Sequence, residues 1–81
     1  MNLYIINKVL YDYTAGMVVI AAPSMERCRE LFVEKFDPPG RVPYGCYPAE
    51  DFDEAIEKGN YKVIKEVDHP EGVVSYVLGG G

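Results

Sequence analysis

Residues 17–36 read MVVIAAPSMERCRELFVEKF, and their pattern predicts a strand followed directly by a helix. The first part, Met17–Ala22, is almost wholly apolar, which is typical of a central strand with both sides covered. Pro23 ends the strand, and Ser24 is a good N-cap because its hydroxyl can accept a hydrogen bond from an amide of the first turn. The pattern therefore predicts a buried strand and a helix that begins after Ser24.

The helix predicted after Ser24 is amphipathic. Its apolar residues recur at steps of three and four, as one face of an α-helix requires. They are Met25, Cys28, Leu31, Phe32 and Phe36, while Glu26, Arg27, Arg29, Glu30 and Glu34 fall on the opposite face. Asp37-Pro38-Pro39-Gly40 ends the helix, since proline cannot continue it. We expect the apolar stripe to form the spine of the core.

The segment before Met17 predicts the other half of an N-terminal hairpin. Leu3–Leu10 is rich in Leu, Ile, Val and Tyr, which indicates a strand. In Tyr11–Gly16, Asp12 starts and Gly16 finishes a pattern that is typical of a turn. Two antiparallel strands joined by that turn are the expected structure.

The C-terminal half predicts a second helix and a second hairpin. Pro48 suits the first turn of a helix, and Gly59 suits its left-handed stop. The inward side chains of this helix are Phe52, Ala55 and Ile56. Tyr61–Val67 alternates as a half-buried strand does, Asp68–Gly72 predicts a turn, and Val73–Leu78 predicts the last strand.

The predicted fold class is α+β, in a single domain spanning residues 1–78 of the 81 with a glycine tail at 79–81. The element order is β-β-α-α-β-β, and a four-stranded antiparallel sheet with both helices on one face would bury every apolar stripe. No apolar run approaches the ~20 residues of a membrane span, and Met1–Tyr4 lacks a signal-peptide pattern. A cytoplasmic location without membrane contact is expected.

The charge is concentrated in the second helix. Five carboxylates lie within eight positions, with no basic residue among them: Glu50, Asp51, Asp53, Glu54 and Glu57. The other eight acids are balanced by eight Lys and Arg, so the net charge of −5 comes from this segment. It predicts a contact with a basic partner surface and disfavours direct nucleic-acid binding. The alternatives are a solvated helix face and a weak divalent-cation site, but no calcium-loop pattern is present and we expect no metal.

Tyrosines are the second candidate recognition feature. Tyr44 and Tyr47 lie in the proline-rich loop between the helices, and Tyr11 and Tyr13 lie in the first predicted turn. Tyrosine supplies large contact area at low entropic cost, so we take the loop pair as partner-binding and the turn pair as secondary. The alternative is that each covers an edge of the core with its hydroxyl in water.

Nothing in the sequence indicates catalysis. Cys28, Cys46 and His69 have neither zinc-ligand spacing nor a third group to orient a thiolate and base. Patterns for nucleotide-binding loops, metalloproteases and serine hydrolases are absent. We therefore expect no enzymatic activity and no cofactor.

The tail permits a more specific alternative. A last strand that ends in Gly-Gly resembles the small ubiquitin-like sulfur carriers of molybdopterin and thiamine synthesis. The resemblance covers Val73–Gly81 and implies an activated C-terminus that uses Gly80 and Gly81. Those carriers place a Gly-Asp-x-Val turn before the final strand, where this chain has Glu71-Gly72-Val73-Val74.

A broader resemblance is carried by GMVVIAAPSMERCR at residues 16–29, by Leu3-Tyr4-Ile5 and Tyr11-Asp12, and by Gly72-Val73-Val74 with the short glycine tail. These motifs are similar to those of small bacteriophage and prophage proteins with a strand-turn-strand, a helix entry and a final GVV strand. In size, acidity and strand-helix design the chain also resembles compact anti-CRISPR proteins. No catalytic residue carries over.

The expected function is that of a phage-type accessory protein which binds and inhibits or redirects a host complex, with anti-CRISPR or other anti-defence action as the most specific form. The partner would be a host protein or nucleoprotein complex with a basic surface, in the host cytosol. The rivals are a sulfur carrier and a small structural or homodimeric subunit.

Overall fold

The computed structural model of the chain describes residues 1–12, 14–36 and 48–77. Its elements are β1 (Asn2–Asp12), β2 (Thr14–Ala22), α1 (Met25–Phe36), α2 (Pro48–Glu57), β3 (Tyr61–Ile64) and β4 (Gly72–Val77). The strands form one four-stranded sheet in the order β3-β1-β2-β4, with every neighbouring pair antiparallel. The predicted α+β class and element order are confirmed.

Both helices pack on the same face of the sheet. Tyr4 and Ile6 of β1 lie beside Ile20 and Val18 of β2 in register, and all four are buried. From the helices, the side chains of Cys28, Phe32, Phe36, Phe52 and Ala55 complete the core. The Phe32 ring lies 5.0 Å from that of Phe36 and 5.4 Å from that of Phe52. The predicted stripe is thus the core-facing side of α1, with Met25 and Leu31 partly buried at its margin.

The ends of the helices follow the predicted signals. Ser24 caps α1, since its Oγ accepts a hydrogen bond of 3.2 Å from the amide of Arg27. After α2, Gly59 adopts a left-handed φ of 75°. The amide of Gly59 donates to the Ile56 carbonyl at 3.1 Å and that of Asn60 to the Ala55 carbonyl at 2.8 Å, as in a Schellman motif. This stop turns the chain directly into β3.

The N-terminal hairpin is longer and less regular than predicted. Tyr11–Gly16 is not a wide turn, because β1 continues to Asp12 and pairs there with Thr14. The register shifts between Asn7 and Asp12, where Lys8 and Leu10 both have a φ of 57°. These irregularities let two consecutive side chains, Val9 and Leu10, be buried together.

The two strands predicted to form the second hairpin, β3 and β4, do not pair with each other, because they lie at opposite edges of the sheet. β3 ends at Ile64 and not at Val67, because Glu66 has a φ of 60° and the Val67 amide donates to the Met1 carbonyl at 2.9 Å. Residues 65–71 therefore connect one edge of the sheet to the other, where β4 begins. Near the start of β4, Arg27 of α1 holds the Glu71 carboxylate at 2.9 Å.

β2 is central in the sheet, as predicted. α1 and α2 both lie on the Ile20 side, and on the other side Ala21 is fully buried while Met17 and Val19 are half-buried. No described helix or strand covers the opposite side. Among the described residues, no helix is long and apolar enough to cross a membrane.

Candidate protein-interaction surfaces

Four of the five predicted carboxylates lie together on one side of α2. Glu50, Asp53, Glu54 and Glu57 are separated by three, four and seven positions, and all four are exposed. We call them the acidic surface. They lie away from the buried Phe52 and Ala55, so the helix positions them on the solvent side.

Two carboxylates of the acidic surface are paired within the molecule. Arg29 of α1 holds Asp53 through two hydrogen bonds, Nε to Oδ1 at 2.8 Å and Nη2 to Oδ2 at 3.0 Å. These bonds to Arg29 keep the pKa of Asp53 below its usual value. Lys58 Nζ lies 2.6 Å from Glu54 Oε1. The described part of the chain contains no ion pair of Glu50 or Glu57, which are the two carboxylates most available to a partner.

Asp51 has a different place from the other four. It is partly buried and turned toward β1, where its Oδ2 accepts a hydrogen bond of 2.8 Å from the Leu10 amide. Leu10 is itself buried and left-handed, so its amide lies outside the regular ladder of the hairpin. Asp51 thus fixes α2 to the irregular end of β1, a role that its place in an acidic run did not predict.

Several predicted site residues lie outside the described part of the chain. These are Tyr13, Tyr44 and Tyr47, together with Cys46, Gly80 and Gly81. Tyr11 belongs to β1 by its backbone, and its side chain is not described. The site predictions at these positions stay predictions.

The side of the sheet opposite the helices forms a surface that the sequence did not predict. The strand registers place on it Leu3, Ile5, Asn7, Met17, Val19, Lys62, Ile64, Ser75 and Val77. We call these residues the open face. Ala21, on the same side, is fully buried. Six of the nine are apolar, none is a carboxylate, and the corner residues Ile64 and Val77 are 47% and 58% exposed.

A groove of about 650 Å³ lies at one end of the open face. Its lining includes Met17 and Val77 together with Lys8 and Lys62. In the described residues, neither lysine belongs to an ion pair. The open face is therefore apolar with a positive margin, whereas the opposite side of the molecule carries the acidic surface.

The described nucleophile candidate is not poised for chemistry. Cys28 is fully buried in the core, and burial raises the pKa of its thiol to about 12. His69 is exposed, and its Nδ1 lies 2.7 Å from the Pro70 carbonyl oxygen. Within residues 1–12, 14–36 and 48–77, no three His, Cys, Asp or Glu side chains converge as metal ligands would.

Comparisons with known protein families, curated proteins and solved structures found no match to this chain. Among the described residues, the acidic surface and the open face are two surfaces of distinct chemistry.

Proposed function

We propose that this chain is a binding protein and that its partner, another protein, docks on the open face. The observation that supports this is the composition of that face: apolar side chains on all four strands, with no carboxylate in a chain of net charge −5. Large apolar patches on a small soluble protein mark interaction sites.

The dimensions of the open face suit a small binding site. Strands lie about 4.8 Å apart and side chains on one face repeat about every 6.8 Å, so the nine positions of the open face cover roughly 300 Å². That is at the lower end of the range of patches that are often functional, and less than half of one side of a standard interface. The complementary partner surface is apolar, with a carboxylate near Lys8 and Lys62 at the groove.

The acidic surface is the alternative contact. It suits a partner with a basic surface, and Glu50 and Glu57 would contribute most because Asp53 and Glu54 already have cationic neighbours. Attraction of this kind mainly raises the rate of association, whereas buried apolar area mainly slows dissociation. The two surfaces therefore predict different kinetic signatures.

The resemblance to phage and prophage proteins suggests a role for such binding in a host cell. A small domain with an apolar docking face could occupy a functional surface of a host protein or nucleoprotein complex in the host cytosol, and so inhibit or redirect it. Anti-CRISPR or other anti-defence action is its most specific version. The alternatives are a sulfur carrier that uses Gly80 and Gly81 and a structural or homodimeric subunit.

The test compares two neighbouring substitutions on β3. Ile64→Lys places a charge on the open face, and Val63→Lys places the same charge on the opposite side of the same strand, where Val63 is 37% exposed. Each variant is used as bait in a bacterial host extract, and the captured protein is then purified for affinity measurement. We expect Ile64→Lys to weaken binding at least tenfold and Val63→Lys to leave it nearly unchanged.

A third bait distinguishes the alternative surface. Replacement of Glu50 and Glu57 by Gln removes the two carboxylates without a described ion pair and leaves the open face intact. Loss of binding in this variant, with wild-type affinity in Ile64→Lys, would contradict docking on the open face and favour the acidic surface. Thermal melts of all variants show whether each is folded.

A further inference from the structure

The groove at one end of the open face has the composition of a small-molecule site. Its volume of about 650 Å³ is within the range of ligand-binding clefts. Such clefts combine apolar lining with a few polar groups that fix the orientation of the ligand. Here Met17 and Val77 supply apolar contacts and Lys8 and Lys62 supply positive charge. Two asparagines, at positions 7 and 60, add amide donors and acceptors.

Lys8 reaches the groove because β1 is irregular at this point. In a regular strand, Lys8 would share the core side with Tyr4 and Ile6, both of which are buried. Instead, the register with β2 shifts between Asn7 and Val9, and Lys8 has a left-handed φ of 57° and an exposed side chain. This conformation is uncommon for residues other than glycine, and bulges often re-aim a side chain beside a functional site. The irregularity thus turns a cation away from the core and into the groove.

The two lysines of the groove are available to one anion. Among the described residues neither forms an ion pair, and the nearby Glu54 carboxylate is held by Lys58 at 2.6 Å. Lys62 lies opposite Ile5 in the sheet, and Lys8 is three residues beyond Ile5 on β1. At about 3.3 Å per residue and 4.8 Å between strands, the Cα atoms of the two lysines are roughly 11 Å apart. Two flexible four-carbon side chains span such a gap, so both ammonium groups can contact the same anionic group.

We propose that the groove binds a small molecule with one anionic group and an apolar body. The anionic group contacts Lys8 and Lys62, and the apolar body lies against Met17 and Val77. A methionine side chain is flexible and polarizable, so it adapts to apolar ligands of different shapes.

The charge of the chain favours a small ligand over a polyanion. The net charge is −5, and Glu50 and Glu57 of the acidic surface form no ion pair within the described residues. A nucleic acid or an anionic membrane would be repelled by this charge within a screening length of about 8 Å at physiological salt. A ligand with a single charge that fits within the groove is repelled less, and it contacts two lysines directly.

Binding of a small anion goes beyond the proposed function, because it needs no partner protein. The groove and the open face share Met17 and Val77. A bound anion therefore occupies one end of the docking surface and should weaken the docking of a protein there. Because Ile64 does not line the groove, Ile64→Lys should keep the binding of the small anion even where protein docking is lost.

The first test uses octanoate as the probe, with octanol as its uncharged match and acetate as the anion without an apolar chain. Backbone amide shifts of the full chain are followed by NMR up to roughly 10 mM of each compound, a range suited to a ligand of about ten non-hydrogen atoms. Octanoate should shift the amides of Asn7, Met17 and Lys62 and reach saturation. Octanol and acetate should bind more weakly, by roughly tenfold or more. Lack of saturation by octanoate, or equal affinity for octanol, would overturn the proposal.

The second test removes one cation of the groove at a time. Lys8→Gln and Lys62→Gln should each weaken octanoate binding by roughly fivefold or more. Lys65→Gln removes the same charge from an exposed lysine just after β3 and outside the groove lining, so it should bind octanoate as the wild type does. Wild-type affinity in both groove variants, or an equal loss in Lys65→Gln, would contradict the assignment of the two lysines. Thermal melts show whether each variant is folded.

The third test places a carboxylate in the groove. Val77→Asp brings a negative charge beside the bound anion, whereas Val74→Asp makes the same change in the same strand at an exposed position outside the groove lining. We expect Val77→Asp to lose octanoate binding and Val74→Asp to keep it. An equal effect of the two substitutions would refute a site in the groove, because it would show that only the net charge of the chain matters.

Discussion

Removal of the Asp51 carboxylate should destabilise the protein more than removal of an exposed carboxylate of the same helix. Its hydrogen bond of 2.8 Å reaches the amide of Leu10, a residue that is 1% exposed and has a φ of 57°. Asp51→Ala leaves that amide without this acceptor, and a buried donor without a partner costs about 1–3 kcal/mol. Loss of an acidic residue from the first helical turn adds roughly 0.3–1 kcal/mol.

Glu50→Ala is the matched control for Asp51→Ala. Glu50 lies in the same first turn and is exposed, so its removal costs only the interaction with the helix dipole. For a domain of this size, 1 kcal/mol corresponds to about 4–8 °C in Tm. We expect Asp51→Ala to melt roughly 10 °C below the wild type, and Glu50→Ala to melt within about 5 °C of it. Asp51→Asn keeps an oxygen acceptor and should fall between them.

The assay is a thermal melt by circular dichroism, supported by hydrogen exchange of the Leu10 amide measured by NMR. Protection of this amide should fall in Asp51→Ala and persist in Glu50→Ala. If the two alanine variants melt within about 2 °C of each other and the Leu10 amide stays protected in both, Asp51 does not fix α2 to β1.

Three further predictions follow from the core and the ion pairs. Phe32→Ala should lower the free energy of unfolding, measured in urea, by about 3–5 kcal/mol, because the ring is fully buried against two other phenylalanines. Leu31→Ala, at a partly buried position, should lower it by less. Equal losses would mean that the buried side of α1 is misassigned. The Cys28 thiol, with its pKa raised to about 12 by burial, should react with a thiol reagent at pH 8 only as fast as the chain unfolds. The measurement uses the Cys46→Ser variant, and rapid labelling of Cys28 in its native state would contradict this. Because the hydrogen bonds from Arg29 lower the pKa of Asp53, their stabilisation is present above the unfolded pKa near 3.9 and is lost as pH falls through the folded pKa. Wild type and Arg29→Gln should therefore differ slightly in Tm at pH 7 and converge near pH 2, and a difference that persists there would have another cause.

The parts of the fold that sequence predicts best are those specified by local signals. Ser24 caps the start of α1 through a hydrogen bond to Arg27, and Gly59 lies in the Schellman motif that ends α2. These hydrogen bonds join residues at most five positions apart, so the local sequence is sufficient to predict where each helix begins or ends. The ends of β1 and β3 depend on distant partners. The left-handed Leu10 is fixed by Asp51, 41 positions later, and Val67 is held by Met1. Neither contact can be predicted from the local alternation of apolar and polar residues.

The open face could have been inferred from a conflict within the sequence. In β1, Leu3 and Ile5 are as apolar as Tyr4 and Ile6, which indicates a strand covered on both sides. The same sequence predicts only two helices, which are enough to cover one side of a four-stranded sheet. Such a strand is apolar on both sides, but the helices cover only one side of the sheet. This combination predicts that the other side is an apolar face which another molecule can cover. Which strands form the edges is not encoded in this way, so the strand order β3-β1-β2-β4 is seen only in the structure.

The placement of charge bears on which surface a partner would use. The net charge of −5 suggests a bare acidic patch, but Arg29 and Lys58 stand beside Asp53 and Glu54 and weaken the field there. The open face, in contrast, combines apolar area with an absence of carboxylates, which is the composition expected of a contact that is desolvated on binding. Screening at ~0.5 M salt shortens the electrostatic range to roughly 4–5 Å. Association through the acidic surface should therefore slow strongly as salt rises, whereas a complex held by the open face should keep most of its affinity, because burial of apolar surface is not screened.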